Sequence, residues 1–184
     1  MNRNEALHLL NEHIKNINLV RHGIAVEAMM KALAVKFGGN KDDWGLAGLL
    51  HDLDWEKTKD DFNNHTKVTK EILEKTDLKP EIIKAIYVHN WDHGIKPETL
   101  LEKTLYCVEE LSGLITAVAL VQPDKKLASV TADSVLKKFK QKSFAAGVKR
   151  EIILLCKDYI NLELPELVEI SLGAMKESAE EIGL

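Results

Sequence analysis

The sequence predicts an all-α fold, a bundle of about nine helices, from three observations. Apolar residues recur at spacings of three and four along almost the whole chain, which is the periodicity of helices that bury one face. No stretch alternates apolar and polar residues for long enough to resemble a β-strand. Some of the glycines and prolines, namely Gly38, Gly39, Pro80, Pro123 and Pro165, stand where the periodic stretches end or begin. At 184 residues, with no linker or low-complexity stretch, the chain is predicted to form one domain.

The first two helices are separated by a short polar stretch. The first is expected over about residues 3–17 and the second over about residues 19–37. Gly38 and Gly39 follow the second helix, and glycine is favoured where helices stop. The second helix is therefore expected to end there.

The third, fourth and fifth helices carry predicted start signals. Asp42 or Asp43 is expected to cap a short third helix, and Asn63 or Asn64 to cap the fourth. Pro80 fits the first turn of the fifth helix. The third helix is expected to reach His51, the fourth to run from about His65 to Lys75, and the fifth to carry His89.

The sixth helix is predicted to be the central one. It covers residues 99–122, its apolar residues share one face, and Pro123 ends it. Thr131 is expected to cap a seventh helix, residues 147–160 form an eighth, and Pro165 begins a ninth.

Composition narrows the class of function. The chain has 25 Lys and Arg against 29 Asp and Glu, a net charge of −4, which argues against affinity based on nucleic-acid phosphates and favours a small-molecule partner. Residues 111–123 form the longest strongly apolar, uncharged stretch, shorter than the roughly 20 residues that span a bilayer. No secretory signal is recognisable, so a cytoplasmic location is expected. Cys107 and Cys156 are expected to be buried, reduced thiols.

The strongest chemical signal is a histidine next to an aspartate, His51-Asp52, at the end of an apolar helix. At a helix end the backbone can turn both side chains toward one point. His22 lies near the start of the second helix, and Glu109 borders the buried stripe of the sixth. A single histidine is usually a hydrogen-bonded residue of no special role, but a half-buried carboxylate requires a partner. A metal ion could be that partner.

These residues, in their order along the chain, resemble the metal-binding motif of the HD-domain superfamily of metal-dependent phosphohydrolases. The family pattern is a His, an adjacent His-Asp pair and a distant acidic residue, which correspond here to His22, His51-Asp52 and Glu109. The usual last residue is Asp, whereas this chain has Glu. The surrounding Tyr-Cys-Val-Glu-Glu-Leu-Ser-Gly is similar to the Tyr-Ala-Val-Asp-Glu-Leu-Thr-Gly of an HDIG-like branch, and residues 142–148 also resemble that branch.

The resemblance implies a divalent metal ion bound by His22, His51, Asp52 and Glu109. Some members hold a second ion, for which His65 and His89 are the candidates, with Asp52 bridging the two ions. Those members often have a His-His pair where this chain has His89-Asn90, so one ion is expected and a second remains an alternative. A mixed set of nitrogen and oxygen donors suits Fe, Mn, Ni, Co or Mg.

The same resemblance implies hydrolysis by a water molecule that the metal activates. Besides Asp52, the carboxylates of Asp54 and Glu56 are candidates for positioning that water. Cations are needed for the substrate phosphate, and the candidates are Arg21, Lys57, Lys142 and Lys149.

The leading interpretation is a single HD domain over residues 1–184, with its metal-site core at about 19–122 and C-terminal helices at about 131–183. It would hydrolyse a small phosphate ester such as a nucleotide. A non-catalytic, nucleotide-binding or regulatory HD domain is the alternative, and a di-iron oxygenase on the same scaffold is a third. The expected partner is a small phosphorylated molecule, with no membrane and no nucleic acid; the sequence gives no oligomeric state.

Overall fold

The computed structural model describes residues 1–184 and contains no β-strand, which confirms the all-α prediction. Twelve helical segments follow one another, together with three 3-10 turns at 62–64, 91–93 and 127–129. The helices are α1 (Arg3–His13), α2 (Ile17–Phe37), α3 (Lys41–Leu50), α4 (Trp55–Thr58), α5 (Lys67–Leu73), α6 (Pro80–Val88), α7 (Leu100–Leu120), α8 (Ala132–Phe139), α9 (Arg150–Leu154), α10 (Cys156–Ile160), α11 (Leu164–Glu177) and α12 (Ala179–Ile182).

Each of the nine predicted helices has a counterpart, and the larger number comes from two breaks and one additional short helix. The predicted eighth helix is divided at Leu155 into α9 and α10, and the ninth at Ser178 into α11 and α12. The four-residue α4 was not predicted and follows the His-Asp pair. One predicted stop signal and two predicted start signals act as expected. Gly38, after α2, is left-handed with φ of 70°, Thr131 forms a capping box at the start of α8, and Pro165 lies in the first turn of α11.

The predicted caps of the third helix are wrong. Asn40 caps α3, because its side-chain oxygen accepts the backbone N–H groups of Asp42 and Asp43 at 3.0 and 2.9 Å. The first helix also ends earlier than predicted, at His13, because the backbone is extended at Ile14 and Asn16 then caps α2.

Two further predicted helix starts are wrong. Asn63 and Asn64 lie in a 3-10 turn, and α5 follows Thr66, which makes no capping hydrogen bond with its side chain. The eighth helix begins at Arg150 rather than residue 147, because the backbone before it folds around the Arg150 side chain.

Glycines allow α2 and α3 to pack with their backbones in close approach. A Cβ atom at Gly48 would lie 2.8 Å from the carbonyl oxygen of Val26, and one at Gly23 would lie 2.9 Å from that of Leu49. Such distances leave no room for a side chain. This contact brings the start of α2, which carries His22, beside the end of α3.

The long helix α7 completes the frame by packing against α2, α3, α6 and α9. One continuous cluster of buried apolar side chains extends from Ala6 in α1 to Ile182 in α12. Cys107 and Cys156 are free and buried in this cluster, as predicted. None of the helices combines the length and the apolar character that crossing a membrane requires.

Candidate metal centre

Donor atoms from separate elements converge where α2, α3, α6 and α7 meet. One group, within which the donor atoms all lie within 4.8 Å of one another, contains His22, His51, Asp52 and Glu109. A second group, under the same limit, contains Asp52, His65 and His89. The structure therefore brings together all six residues that the sequence proposed as metal ligands, and Asp52 belongs to both groups.

The two oxygens of Asp52 face different groups. Its Oδ2 lies 3.7 Å from Nε2 of His22 and 3.6 Å from Nε2 of His51. Its Oδ1 lies 3.3 Å from Nε2 of His65 and 3.7 Å from Nε2 of His89. Glu109 completes the first group, with Oε1 at 3.6 Å from Nε2 of His22. The geometry is that of a carboxylate shared between two sets of donors.

The four imidazoles of these groups are oriented alike, each with Nδ1 hydrogen-bonded outside the cluster. The acceptors are the Ser112 hydroxyl for His22 (3.0 Å), the Gly48 carbonyl for His51 (2.7 Å), the Asp54 carboxylate for His65 (2.8 Å) and the Ile86 carbonyl for His89 (2.6 Å). The Ser112 hydroxyl donates to the Glu109 carbonyl, so it accepts from His22. This network places a proton on each Nδ1 and leaves each Nε2 directed inward, where it can bind a proton or a metal ion.

The first group fits a divalent cation. Nε2 of His22 and Nε2 of His51 are 3.1 Å apart, so two lone pairs would face each other unless a proton or a cation lies between them. Two ligands held at about 2.1 Å from one ion, at right angles, are themselves about 3 Å apart. Two imidazoles and two carboxylates also provide a net charge of −2 to balance the ion.

Burial and charge act against each other on the ionisable groups of this cluster. Burial lowers the pKa of His22, but the carboxylates of Glu109 and Asp52 outweigh it and raise the pKa. The pKa of His89 is raised in the same way, by Asp52 against burial. Burial lowers the pKa of His51 to about 4. Burial would raise the pKa of Asp52, but the histidines around it, His51 first, hold that pKa below its usual range.

We expect metal uptake at pH 6.5 to release protons. Because the pKa values of His22 and His89 are raised above the usual value for histidine, these imidazoles carry protons at that pH in the metal-free protein, and they must lose them to become ligands. Asp52 is already ionised and contributes none. Metal affinity should therefore fall as the pH falls through the raised histidine pKa values. Calorimetric titrations in buffers of different ionisation enthalpy measure the released protons, and an uptake that releases none at pH 6.5 would contradict the assignment.

A cavity of 350 Å³ opens beside the two donor groups. Trp55, Phe62 and Trp91 form an aromatic wall, and Glu110 and Lys149 lie on its lining with the candidate ligands. Phe62 and Trp91 are in contact, with ring centroids 5.1 Å apart. The cavity thus combines a polar floor of ligand atoms with an aromatic side.

Comparison with known proteins decides the family, because residues 19–119, more than half of the chain, match the HD domain. The chain belongs to the HD-domain family. The resemblance that the His, His-Asp and acidic residues indicated is therefore confirmed, and the matched range contains all six candidate ligands.

Curated relatives of this HD domain include proteins named Ribonuclease Y. The protein from Sulfurovum sp. (strain NBC37-1) is 24% identical over 139 residues, which cover 73% of this chain and 27% of the relative. Those from Lawsonia intracellularis (strain PHE/MN1-00) and Geotalea uraniireducens (strain Rf4) are 31% and 30% identical over 96 residues, 52% of this chain and 18% of each relative. The chain thus spans about a quarter or less of these proteins. No solved structure gives a significant match.

Two of the carboxylates predicted to position water in the HD domain do not reach the cavity. Asp54 lies behind His65, where its Oδ1 accepts from Nδ1 of that imidazole and its Oδ2 accepts the backbone N–H of Thr69 at 2.9 Å. Glu56 accepts the backbone N–H groups of Lys15 and Asn16 at 3.1 and 2.5 Å. Neither side chain lines the cavity, so the structure places Asp54 as a support for His65 and Glu56 as a surface contact.

Of the four cations proposed for phosphate, the structure brings only Lys149 to this cavity. Arg21 lines a neighbouring cavity of 410 Å³, which shares His22 with the first and which Gly183 also borders. Lys57 and Lys142 are exposed and line neither cavity. Their predicted role at the cavity is not supported.

The position after His89, where two-metal HD proteins often have a second histidine, has a structural role here. The side-chain amide of Asn90 donates to the carbonyls of Phe62 and His65, both at 3.0 Å, and its oxygen accepts the N–H of Asp92. His93 is also engaged outside the donor groups, with Nε2 at 2.9 Å from the Thr66 hydroxyl. The second group therefore has three candidate ligands, Asp52, His65 and His89, and it shares Asp52 with the first group.

Two residues at the site were missed from the sequence. Ser112 orients His22, and Glu110 lines the cavity beside Glu109. Ser112 lies three residues after Glu109, which is one helical turn, so the helical spacing was the signal that could have indicated it. Burial, together with the Glu109 charge, raises the pKa of Glu110 to about 7.

Proposed function

We propose that this HD domain is a metal-dependent phosphohydrolase that hydrolyses a small phosphate ester, such as a nucleotide, with metal-activated water. The observation that most supports the proposal is the common orientation of four imidazoles, each with Nδ1 bonded outward and Nε2 turned toward Asp52. Histidines that bind a metal through one ring nitrogen almost always have the other hydrogen-bonded away from the ion, whereas a hydrogen-bonded core gives no reason for four imidazoles to share this orientation.

His22, His51, Asp52 and Glu109 would hold the first ion, of Fe, Mn, Ni, Co or Mg. A divalent ion there would supply Lewis acidity and lower the pKa of a bound water. The carboxylates of Asp52 and Glu109 balance its charge, and Ser112 keeps the His22 ring in its binding tautomer. Four protein ligands leave room in the coordination sphere for a substrate oxygen and a water molecule.

A second ion between Asp52, His65 and His89 is the alternative to a single-ion site. This group has only one carboxylate, which it shares, so we expect it to bind an ion more weakly than the first group. Asp54 supports it by fixing the tautomer and orientation of His65.

Asp54→Asn should therefore weaken the second ion by about 10- to 100-fold, the usual cost of losing a partner behind a metal ligand. The first ion should be unaffected, because none of its ligands contacts Asp54. Metal titration of the variant measures both affinities, and Asp60→Asn, at an exposed aspartate, is the matched control. Equal metal affinities in the variant and the wild type would show that Asp54 has no such role.

The size and lining of the cavity favour a small substrate with a ring. A volume of 350 Å³ lies in the range of small-molecule sites, roughly 300 to 1,000 Å³. The aromatic wall offers a face on which a base could stack. The phosphate would then lie toward the carboxylate and imidazole floor, where the ions would bind.

A nucleotide-binding or regulatory HD domain without turnover is the second candidate. It is favoured by Asn90, which is fully used in structural hydrogen bonds where a further ligand would complete the second group. Glu109 in place of the usual Asp is the other departure from the family pattern.

A panel of phosphate esters tests the proposal. Purified protein is loaded with Mn²⁺, Fe²⁺ or Mg²⁺ and assayed for phosphate release from nucleoside monophosphates and other monoesters. A short single-stranded RNA is included because of the relatives' name. We expect metal-dependent release that EDTA abolishes. A nucleotide that raises the Tm without being hydrolysed would favour the second candidate. Bound iron with oxygen consumption and no phosphate release would favour an oxygenase.

A further inference from the structure

The backbone before α9 is folded around one side chain, that of Arg150. The guanidinium of Arg150 donates five hydrogen bonds to backbone carbonyls of residues 139–148. The acceptors are Phe139 (2.7 Å), Gln141 (3.1 Å), Phe144 (2.5 Å), Ala145 (3.3 Å) and Val148 (3.3 Å). A planar guanidinium with five donors is suited to this task, and a lysine ammonium is not. We call residues 139–149 the Arg150 loop.

The C-terminal end of the Arg150 loop forms part of the cavity. Gly147 and Lys149 both line it. The backbone N–H of Lys149 donates to Oε2 of Glu110 at 2.9 Å, which ties the loop to α7 next to Glu109. The Lys149 ammonium lies 5.4 Å from the centroid of the Trp91 ring, a cation–π contact with the aromatic wall. Two separate contacts therefore fix the position of Lys149, one through its backbone and one through its side chain.

Lys149 is also the one lysine or arginine on the lining of this cavity. The charged groups that face it there are the carboxylates of Asp52, Glu109 and Glu110, and the first two belong to the candidate metal ligands. Its ammonium lies over an aromatic ring and forms no ion pair, so it is available to bind an anion in the cavity. Lysine binds phosphate as a mobile point charge.

We propose that the Arg150 loop is the phosphate-binding wall of the cavity, in which Lys149 contacts the phosphate and Arg150 is a positioning residue. This inference rests on the proposed function, because it assigns the substrate phosphate of the same site. It also gives a role to residues 142–148, the stretch that resembles the HDIG-like branch. Its carbonyls surround the Arg150 guanidinium, and its turn delivers Gly147 and Lys149 to the cavity.

Inorganic phosphate is the probe that tests Lys149, by titration of the Mn²⁺-loaded full chain. Lys149→Gln should weaken phosphate binding by about 10- to 100-fold, the range for losing a charge-assisted hydrogen bond. Lys142→Gln is the matched control, because it removes the same charge from a position of the same loop that does not line the cavity, and it should leave phosphate affinity unchanged. Equal phosphate affinities for Lys149→Gln and the wild type would overturn the inference.

Arg150→Lys tests the positioning role, because it keeps the charge but cannot fill five acceptors. We expect faster hydrogen exchange in residues 140–149 and phosphate binding weakened several-fold, since a mobile wall must be ordered on binding. Metal content should not change. Faster exchange with unchanged phosphate affinity would show a merely structural role. If Arg150→Lys does not fold, Glu110→Ala, which releases only the Lys149 end of the loop, should give the same phosphate result.

The metal content and the hydrolytic activity of the wild type, measured on the same samples, separate the two proposals. A wild type that binds no metal would overturn the proposed function. A wild type that binds metal and hydrolyses esters, alongside Lys149→Gln with normal phosphate affinity, would overturn only the assignment of the Arg150 loop.

Discussion

Asp52→Asn is expected to remove bound metal from both donor groups and to abolish hydrolysis. The substitution preserves the shape of the side chain but removes the charge and replaces one ligand oxygen with an amide nitrogen, which does not ligate. Both oxygens of Asp52 face donors, Oδ2 toward His22 and His51 and Oδ1 toward the second group. No other residue belongs to both groups, so no other single change should reduce metal binding as much.

We expect metal affinity to fall by more than about 100-fold, beyond the cost of losing an outer hydrogen-bond partner. Metal content after loading and desalting measures the loss, and phosphate release from the best substrate of the panel measures its consequence. Asp92→Asn is the matched control, because Asp92 is exposed and belongs to neither donor group. If the Asp52→Asn protein retains its metal and its activity, the metal binds elsewhere in the protein and the cluster is only a hydrogen-bonded part of the core.

The helices were predictable because each buries one face, but several of their first residues were not. Asp42 and Asp43 have the same capping tendency as Asn40, and only the backbone conformation decides which side chain accepts the free N–H groups. The break at Leu155 leaves the apolar spacing unchanged, so periodicity could not indicate it.

The candidate ligands were predictable because their order along the chain matches a family pattern. The other residues of the site were not, because they depend on where the folded backbone directs each side chain. Asp54 and Glu56 follow Asp52 closely in sequence, yet the chain turns between residues 51 and 54 and sends both carboxylates elsewhere. Whether Lys142 or Lys149 reaches the cavity depends on how the backbone folds around Arg150, and no local sequence pattern encodes that fold.

Glu109→Gln is expected to remove the first ion and the hydrolytic activity that depends on it. Glu109 provides one of the two carboxylates of the first group, so the amide leaves a divalent ion with a single balancing charge. We expect the affinity for the first ion to fall by more than about 100-fold, while Asp52, His65 and His89 keep their arrangement. Metal titration and phosphate release measure the two effects. Glu110→Gln is the matched control for the metal titration alone, because that carboxylate lines the same cavity outside the donor groups and its loss should leave metal content unchanged, although it also holds the Arg150 loop.

Glu109→Asp separates the reach of this ligand from its charge. Aspartate is the usual residue of the family, but it is one methylene shorter and would withdraw the carboxylate by about 1.5 Å, the length of one carbon–carbon bond. In this chain Oε1 of Glu109 already stands 3.6 Å from Nε2 of His22, and α7 is fixed by its packing against α2 and α3. Metal affinity should therefore decrease from Glu to Asp to Gln at this position. Tighter binding by the aspartate variant would instead mean that α7 moves toward α2 when the ion binds, and that Glu109 holds it back.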